Sequence, residues 1–158
     1  MKSLVIFYSF EGSTKLIGET IAQKIGAELL EIKPEKEIGS HGFMKYFWGG
    51  RQAMMKLTPR LVPFSKNFEE YDLLIIGTPV WAFDMTPAIR TFLHDYNFIN
   101  KKVAIFCCYE GNMGKALSEM NKLLAGNQII GQEDFRDVRK KEKENISKAE
   151  NWSATLLN

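Results

Sequence analysis

Short apolar runs alternate along the chain with segments that place apolar residues at helical spacing. Several of these runs are almost continuously apolar, as expected for strands that are covered on both faces. The predicted strands are Leu4 to Tyr8, Glu28 to Ile32, Leu73 to Gly77, Val103 to Cys108 and Gln128 to Phe135. Strands that alternate with helices form parallel sheets, so the pattern predicts an α/β fold with helices on both sheet faces.

The intervening segments predict four helices. The first carries Leu16, Ile17 and Ile21 at helical spacing and stops at Gly26, a residue typical of helix ends. The predicted helices are Thr14 to Ile25, Pro87 to Tyr96, Met113 to Leu124 and Asp137 to Leu157. No repeat or linker divides the 158 residues, so we expect a single domain over residues 1–158.

Composition narrows the class of protein. Hydrophobic residues make up 45% and charged residues 25% of the chain, which is typical of a globular protein. No apolar run approaches the roughly 20 residues that a membrane helix needs. The N-terminus lacks the apolar core and cleavage site of a signal peptide. We therefore expect a cytoplasmic protein with no membrane partner.

The cysteines, histidines and basic residues suggest no site of their own. Cys107 and Cys108 are sequence neighbours, so their side chains point to opposite faces of a strand and should not form a disulfide. His41 and His94 have no partner at ligand spacing, so no metal site is predicted. The lysines between positions 139 and 144 are interleaved with glutamates. This pattern indicates a solvated helix face rather than a nucleic-acid site.

The segment 43–57 is unusually rich in aromatic residues and methionines. Core packing is the simplest interpretation. A homodimer face and a wall beside a bound ligand are the alternatives.

The chemistry should lie at the carboxyl ends of the strands, where ligands bind in open parallel sheets. The loop after the first strand reads Ser9-Phe10-Glu11-Gly12-Ser13-Thr14 and leads directly into a helix. It offers free backbone N–H groups, a helix N-terminus and three hydroxyl groups. Such a loop is suited to holding a phosphate group.

Other phosphate-binding families fit this chain less well. The Walker motif G-x-x-x-x-G-K-S/T and the dinucleotide motif G-x-G-x-x-G are both absent. A receiver domain would need an aspartate where Gly77 and Thr78 stand, and a phosphatase of this topology would need a cysteine in the first loop.

At three loops the sequence resembles the flavodoxin family. Ser9, Gly12 and Thr14 match the family's phosphate loop, Ser/Thr-x-Thr-Gly-x-Thr, while Glu11 replaces the middle threonine. The second loop, Thr78-Pro79-Val80-Trp81-Ala82-Phe83, has the tryptophan that stacks on the flavin ring in the family. The third loop is similar to the family loop whose backbone contacts the edge of the flavin ring. It reads Cys108-Tyr109-Glu110-Gly111-Asn112-Met113-Gly114.

The resemblance implies a doubly wound, five-stranded parallel sheet of order 2-1-3-4-5 that binds flavin mononucleotide (FMN) without a covalent bond. The cofactor-binding residues that it implies are Ser9, Phe10, Glu11, Gly12, Ser13, Thr14, Thr78, Pro79, Val80, Trp81, Ala82, Phe83, Cys108, Tyr109, Glu110, Gly111, Asn112 and Gly114. No catalytic acid or base is expected, because in such proteins the flavin carries the redox chemistry.

Three departures from the family pattern bear on function. Glu11 places a carboxylate close to the phosphate site, so its side chain must point outward or be offset by Lys15. Ala82 stands where many flavodoxins have a glycine with a more mobile peptide group. The net charge is +2, whereas carrier flavodoxins are acidic, which helps them to dock basic partners. This electrostatic steering is therefore weakened, unless acids such as Glu110 and Asp84 cluster around the flavin.

Three classes of function therefore remain open. The first is an electron-transfer protein whose partner is a redox protein or a small-molecule acceptor. The second is a small FMN-dependent oxidoreductase that passes hydride from NAD(P)H to a quinone or another flavin. The third is a flavin-fold interaction module without redox function.

Overall fold

The structure, a computed structural model, describes residues 1–37 and 58–158. Segment 43–57 and His41 lie outside the described residues. The strands are β1 Ser3–Phe7, β2 Glu28–Glu31, β3 Leu73–Trp81, β4 Asp84–Met85, β5 Lys102–Tyr109 and β6 Gln128–Arg136. The helices are α1 Ser13–Ile25, α2 Pro87–Asp95, α3 Ala116–Leu123 and α4 Glu142–Thr155, with a 3-10 turn at Phe68–Glu70.

Five strands form a parallel sheet in the order β2-β1-β3-β5-β6. The predicted fourth and fifth strands correspond to β5 and β6, so this arrangement confirms the predicted α/β fold and strand order. The short β4 lies off this path and pairs with β3. The β3–β4 pairing is antiparallel, with Val80 opposite Met85 and Trp81 opposite Asp84. The pattern predicted a loop after Gly77, whereas β3 continues to Trp81 and turns back as a hairpin.

Two apolar layers cover the sheet because alternate strand residues point to opposite faces. Leu4 and Ile6 pack in the layer that contains Ile89 and Phe92 of α2. Val5 and Phe7 pack in the layer that contains Ile17 of α1 and Ala149 of α4. This packing holds the carboxyl ends of β1, β3 and β5 side by side at one edge of the sheet.

The last helix begins later than the pattern predicted. Residues 137–141 form a turn, and α4 starts at Glu142 rather than at Asp137. Asp137 has a φ of 52°, which is outside the helical region and explains why the helix cannot extend back to it. Arg139, Lys140 and Lys141 therefore belong to a turn and not to a helix face.

None of the helices within residues 1–37 and 58–158 has the length and apolar character required to cross a membrane.

Candidate functional site

A cavity of about 300 Å³ opens where β1, β3 and β5 end at the carboxyl edge of the sheet. Its volume is at the lower end of the range of ligand pockets. It is lined by Ser9, Phe10, Glu11, Ser13, Thr14, Pro79, Val80, Trp81, Cys108, Tyr109, Glu110 and Val138. Residues from all three predicted loops therefore meet in one concave site.

The first loop is held in shape by the side chain of Ser9. Its Oγ atom accepts hydrogen bonds from the backbone N–H groups of Gly12 and Lys15, each at 3.1 Å. Gly12 caps helix α1 with a φ of 95°, a conformation that favours glycine. Ser9 thus closes the loop onto the N-terminus of α1.

Several backbone N–H donors of this loop have no acceptor within residues 1–37 and 58–158. No residue that the structure describes accepts a hydrogen bond from the backbone N–H group of Glu11, Ser13 or Thr14. Unpaired N–H groups at a helix N-terminus form a natural binding site for an anion. This loop is the part of the cavity that suits a phosphate group.

Of the two expectations for Glu11, an outward orientation or a pairing with Lys15, the structure shows the outward orientation. Lys15 instead lies 3.9 Å from Glu19, one helical turn further along α1. The side chain of Glu11 is exposed at the rim of the cavity. The negative charge of Glu11 is thus not offset by Lys15.

Trp81 forms an aromatic wall of the cavity. Its ring centroid lies 5.6 Å from that of Tyr8 and 5.6 Å from that of Phe10, and both neighbours meet it almost at right angles. Edge contacts of this kind are favourable and fix the plane of the indole ring. The residue is partly exposed and lines the cavity, so its ring forms part of the surface that a flat ligand would meet.

Tyr109 stands at the end of β5 as a second aromatic residue of the cavity. Its hydroxyl group donates a 2.8 Å hydrogen bond to the carboxylate of Asp134. Desolvation and this hydrogen bond raise the pKa of Tyr109 to about 12. The phenol is therefore neutral and held in place at physiological pH.

The cysteines of β5 are both buried free thiols. Burial raises the pKa of Cys107 to about 12 and raises that of Cys108 as well. Thiols in this state are poor nucleophiles. Cys108 thus contributes surface to the floor of the cavity, beside the buried Thr14, rather than reactivity.

The hairpin after Trp81 turns through two residues with positive φ. Ala82 has a φ of 49° and Phe83 a φ of 64°, the signs of a type I′ turn that asparagine and glycine usually form. Phe83 is 49% exposed, and its carbonyl oxygen accepts a hydrogen bond from the N–H of Lys115 at 2.8 Å. The hairpin and the third loop are thus tied together.

Asp84 holds the same hairpin in place through ion pairs of its buried carboxylate. Its carboxylate, only 2% exposed, lies 2.9 Å from Arg90 Nη2 and 3.5 Å from Lys115 Nζ. A buried carboxylate needs such partners because desolvation of a lone charge is costly. Asp84 is therefore a structural group and adds no exposed negative charge around the cavity.

The third loop packs closely against the hairpin. Gly114 has a φ of 56°, and a Cβ atom at this position would clash with the backbone of Phe83. The N–H of Gly114 donates to the Asn112 side chain at 2.8 Å. These contacts set the position of Glu110, which lines the cavity.

The other predicted site residues lie next to the cavity without lining it. Thr78 is buried, and its hydroxyl accepts a hydrogen bond from the N–H of Thr86 at 3.1 Å. The residues in this group are Gly12, Thr78, Ala82, Phe83, Gly111, Asn112 and Gly114. Their contact with a cofactor stays a prediction.

Val138 lines the cavity although no sequence motif indicated it. It lies in the turn between β6 and α4, is 2% exposed, and its neighbour Asp137 donates a backbone hydrogen bond to Tyr109 O at 2.9 Å. The pattern predicted a helix from Asp137 onward, so a turn that reaches the cavity was not expected.

A second, larger cavity of about 720 Å³ lies beside Trp81. Trp81 lines both cavities, and the second one also contacts Tyr8 and Pro87. The remaining lining residues include Lys36, Glu37 and Arg60, so this cavity combines aromatic surface with charges of both signs.

A family model described as Flavodoxin matches residues 2–133. The chain belongs to the flavodoxin family. The matched range contains all three loops of the cavity but ends before the turn at 137–141. No curated protein matches this flavodoxin's sequence.

Solved structures of flavoproteins resemble this flavodoxin over nearly their whole length. A Lactobacillus acidophilus flavoprotein in complex with FMN is 27% identical, with a TM-score of 0.66 over 90% of this chain and 97% of that one. Oxidised Flavodoxin 2 from Bacillus cereus is 17% identical, with a TM-score of 0.65 over 99% and 98% of the two chains. A WrbA-like flavodoxin from Agrobacterium tumefaciens is 15% identical, with a TM-score of 0.60 over 98% and 96%.

Proposed function

We propose that this flavodoxin binds FMN non-covalently at the carboxyl edge of its sheet and serves as an electron-transfer protein. The observation that carries the proposal is the arrangement of the cavity. Glu11, Ser13 and Thr14, whose backbone N–H groups have no acceptor among the described residues, line the same cavity as Trp81 and Tyr109. Backbone N–H donors suit the phosphate end of FMN and the aromatic walls suit its flat ring, so the site matches both ends of this molecule.

Each part of the site would have its own task. The loop of residues 9–14 would hold the phosphate group, and Trp81 with Tyr109 would orient and desolvate the flat ring. When bound, the flavin would supply the redox chemistry. The similarity to a flavoprotein crystallised with FMN supports this assignment.

Binding of FMN and riboflavin to the purified apoprotein tests the proposal. Each charge-assisted hydrogen bond to the phosphate should contribute about 1.5 to 3 kcal/mol. Calorimetry should therefore show FMN binding at least about tenfold tighter than riboflavin. Equal affinity would refute the phosphate site, and binding of neither flavin would favour the interaction-module alternative.

The second cavity gives a specific reason to keep the oxidoreductase alternative. An aromatic-walled cavity of about 720 Å³ next to Trp81 has the size of a pocket for a small organic substrate. A hydride-transferring enzyme would need such a pocket beside the flavin, whereas a carrier that docks onto protein partners would not.

Anaerobic reduction of the FMN-loaded protein separates the two activities. For an electron-transfer protein we expect photoreduction to proceed while NADH and NADPH leave the absorbance of the oxidised flavin unchanged over minutes. Stoichiometric bleaching within seconds by either nucleotide would assign the oxidoreductase function instead.

A further inference from the structure

The turn between β6 and α4, residues 137–141, lies over the cavity as a fourth loop of the site. Two contacts anchor it there. Asp137 N donates a hydrogen bond to Tyr109 O at 2.9 Å, and the side chain of Val138 is buried in the cavity wall. The turn is closed by hydrogen bonds from the N–H groups of Lys140 and Lys141 to Asp137 O, at 3.0 and 2.9 Å.

This anchoring places the side chain of Arg139 over the first loop. An ideal Cβ atom built on Gly12 would lie 2.5 Å from Arg139 Nη2 and 3.7 Å from its Cζ atom. The guanidinium group therefore rests against the backbone of Gly12. The unpaired N–H groups of Glu11 and Ser13 belong to residues on either side of that glycine.

We infer that Arg139 is a ligand of the phosphate group at this site and selects phosphorylated flavin over riboflavin. The inference rests on the proposed function, because it concerns the same cavity. A guanidinium can form two parallel charge-assisted hydrogen bonds to phosphate oxygens. It would supply the positive charge that the first loop lacks.

The local charges favour this role. Glu11 brings a negative charge into the loop, and Lys15 lies 3.9 Å from Glu19 on the exposed surface of α1. Within the part of the chain that the structure describes, Arg139 forms one ion pair, between its Nη1 atom and Glu142 Oε2 at 3.7 Å. Both side chains of that pair are about half exposed, with 52% and 49% of their surface accessible. Exposed pairs of this kind are weak, so the guanidinium can exchange Glu142 for a phosphate dianion.

Affinity measurements on Arg139→Gln and Lys141→Gln test the assignment. Lys141 is the matched control because it is an exposed cation in the same turn, and its loss changes the net charge by the same amount. We expect Arg139→Gln to weaken FMN binding about 10- to 100-fold and to leave riboflavin binding unchanged. Lys141→Gln should leave the affinity for both flavins within about twofold of the wild type.

Arg139→Lys gives a second, milder variant that retains the charge and is the fallback if Arg139→Gln does not fold. It should weaken FMN binding less than the glutamine variant, because a lysine cannot form the paired hydrogen bonds. Unchanged FMN affinity in either Arg139 variant would overturn the inference and leave the proposed function standing. Tighter FMN binding would overturn it too, since Arg139 would then obstruct the site.

Equal weakening of FMN and riboflavin would also overturn the inference, because it would indicate a structural role for the turn. Failure of the wild-type protein to bind either flavin would overturn the proposed function and this inference together.

Discussion

Trp81 connects the two cavities of this flavodoxin and is the residue whose loss should be most visible at the cofactor. Tyr8 and Phe10 hold its ring by edge contacts, and it is only partly exposed. A ring stacked on it would gain about 0.5 to 1.5 kcal/mol beyond the burial of its surface.

We therefore expect Trp81→Ala to weaken FMN binding roughly tenfold or more and Trp81→Phe to weaken it less. The check is a fluorescence titration of FMN into each variant. Trp152→Phe is the control, because Trp152 packs against Phe106 and Phe135 in the other apolar layer. The quenching of tryptophan fluorescence should persist in the control. Unaltered binding by a folded Trp81→Ala variant would assign the platform to another residue.

At the scale of elements, the β3–β4 hairpin is the unusual feature. It places Ala82 and Phe83, two residues with side chains, in a turn whose positive φ angles suit glycine and asparagine. A non-glycine residue in the left-handed region costs about 1 kcal/mol or more. The hairpin tolerates this cost because the Lys115 N–H holds the Phe83 carbonyl, and Arg90 and Lys115 hold the carboxylate of the adjacent Asp84.

Ala82→Gly should raise the free energy of unfolding by up to about 1 kcal/mol, since glycine adopts positive φ without strain. The same replacement at the exposed helical residue Ala154 should lower it by about the same amount. Urea unfolding of both variants at constant pH is the measurement. A loss of stability in Ala82→Gly as large as that in Ala154→Gly would show that the turn is not strained.

At the scale of the whole molecule, an ion-pair network joins the edge strand β2 to distant parts of the chain. Glu28 accepts hydrogen bonds from Lys66 Nζ and from the Tyr71 hydroxyl, each at 2.7 Å, and lies 3.6 Å from Lys2. These interactions, with the hydrogen bond from Lys66 first, lower the pKa of the Glu28 carboxyl to about 2.

A lowered carboxyl pKa makes stability depend on pH in a definite direction. The folded protein favours the ionised carboxylate, so the contribution is complete above the ordinary glutamate pKa and is lost as pH falls toward about 2. Glu28→Gln should therefore remove part of the stability difference between pH 6 and pH 3. Glu150→Gln, on the exposed face of α4, is the control and should leave that difference unchanged. Thermal unfolding at the two pH values would decide, and identical pH dependence in all three proteins would contradict the prediction.

The local patterns of the chain were sufficient to predict the sheet and the first and third loops at its carboxyl edge, whereas the second predicted loop is the end of β3 and the β3–β4 hairpin. Buried parallel strands are continuous apolar runs, and Gly26 and Pro87 mark helix boundaries by their own backbone preferences. The phosphate loop could be found because its chemistry lies in six consecutive residues, from Ser9 to Thr14.

What the tertiary structure decided depends on contacts between residues that are far apart in the sequence. The position of Arg139 over Gly12 requires the β6–α4 turn to pack on β5, which no local pattern of lysines and glutamates can indicate. The sequence left open whether Asp84 is one of the acids around the flavin. Its burial follows from Arg90 and Lys115, which reach it from a helix and from another loop. The sequence by itself determined which segments form the sheet edge. Long-range packing decided which charged side chains face the cavity, because a charge is placed by the partners that compensate its desolvation.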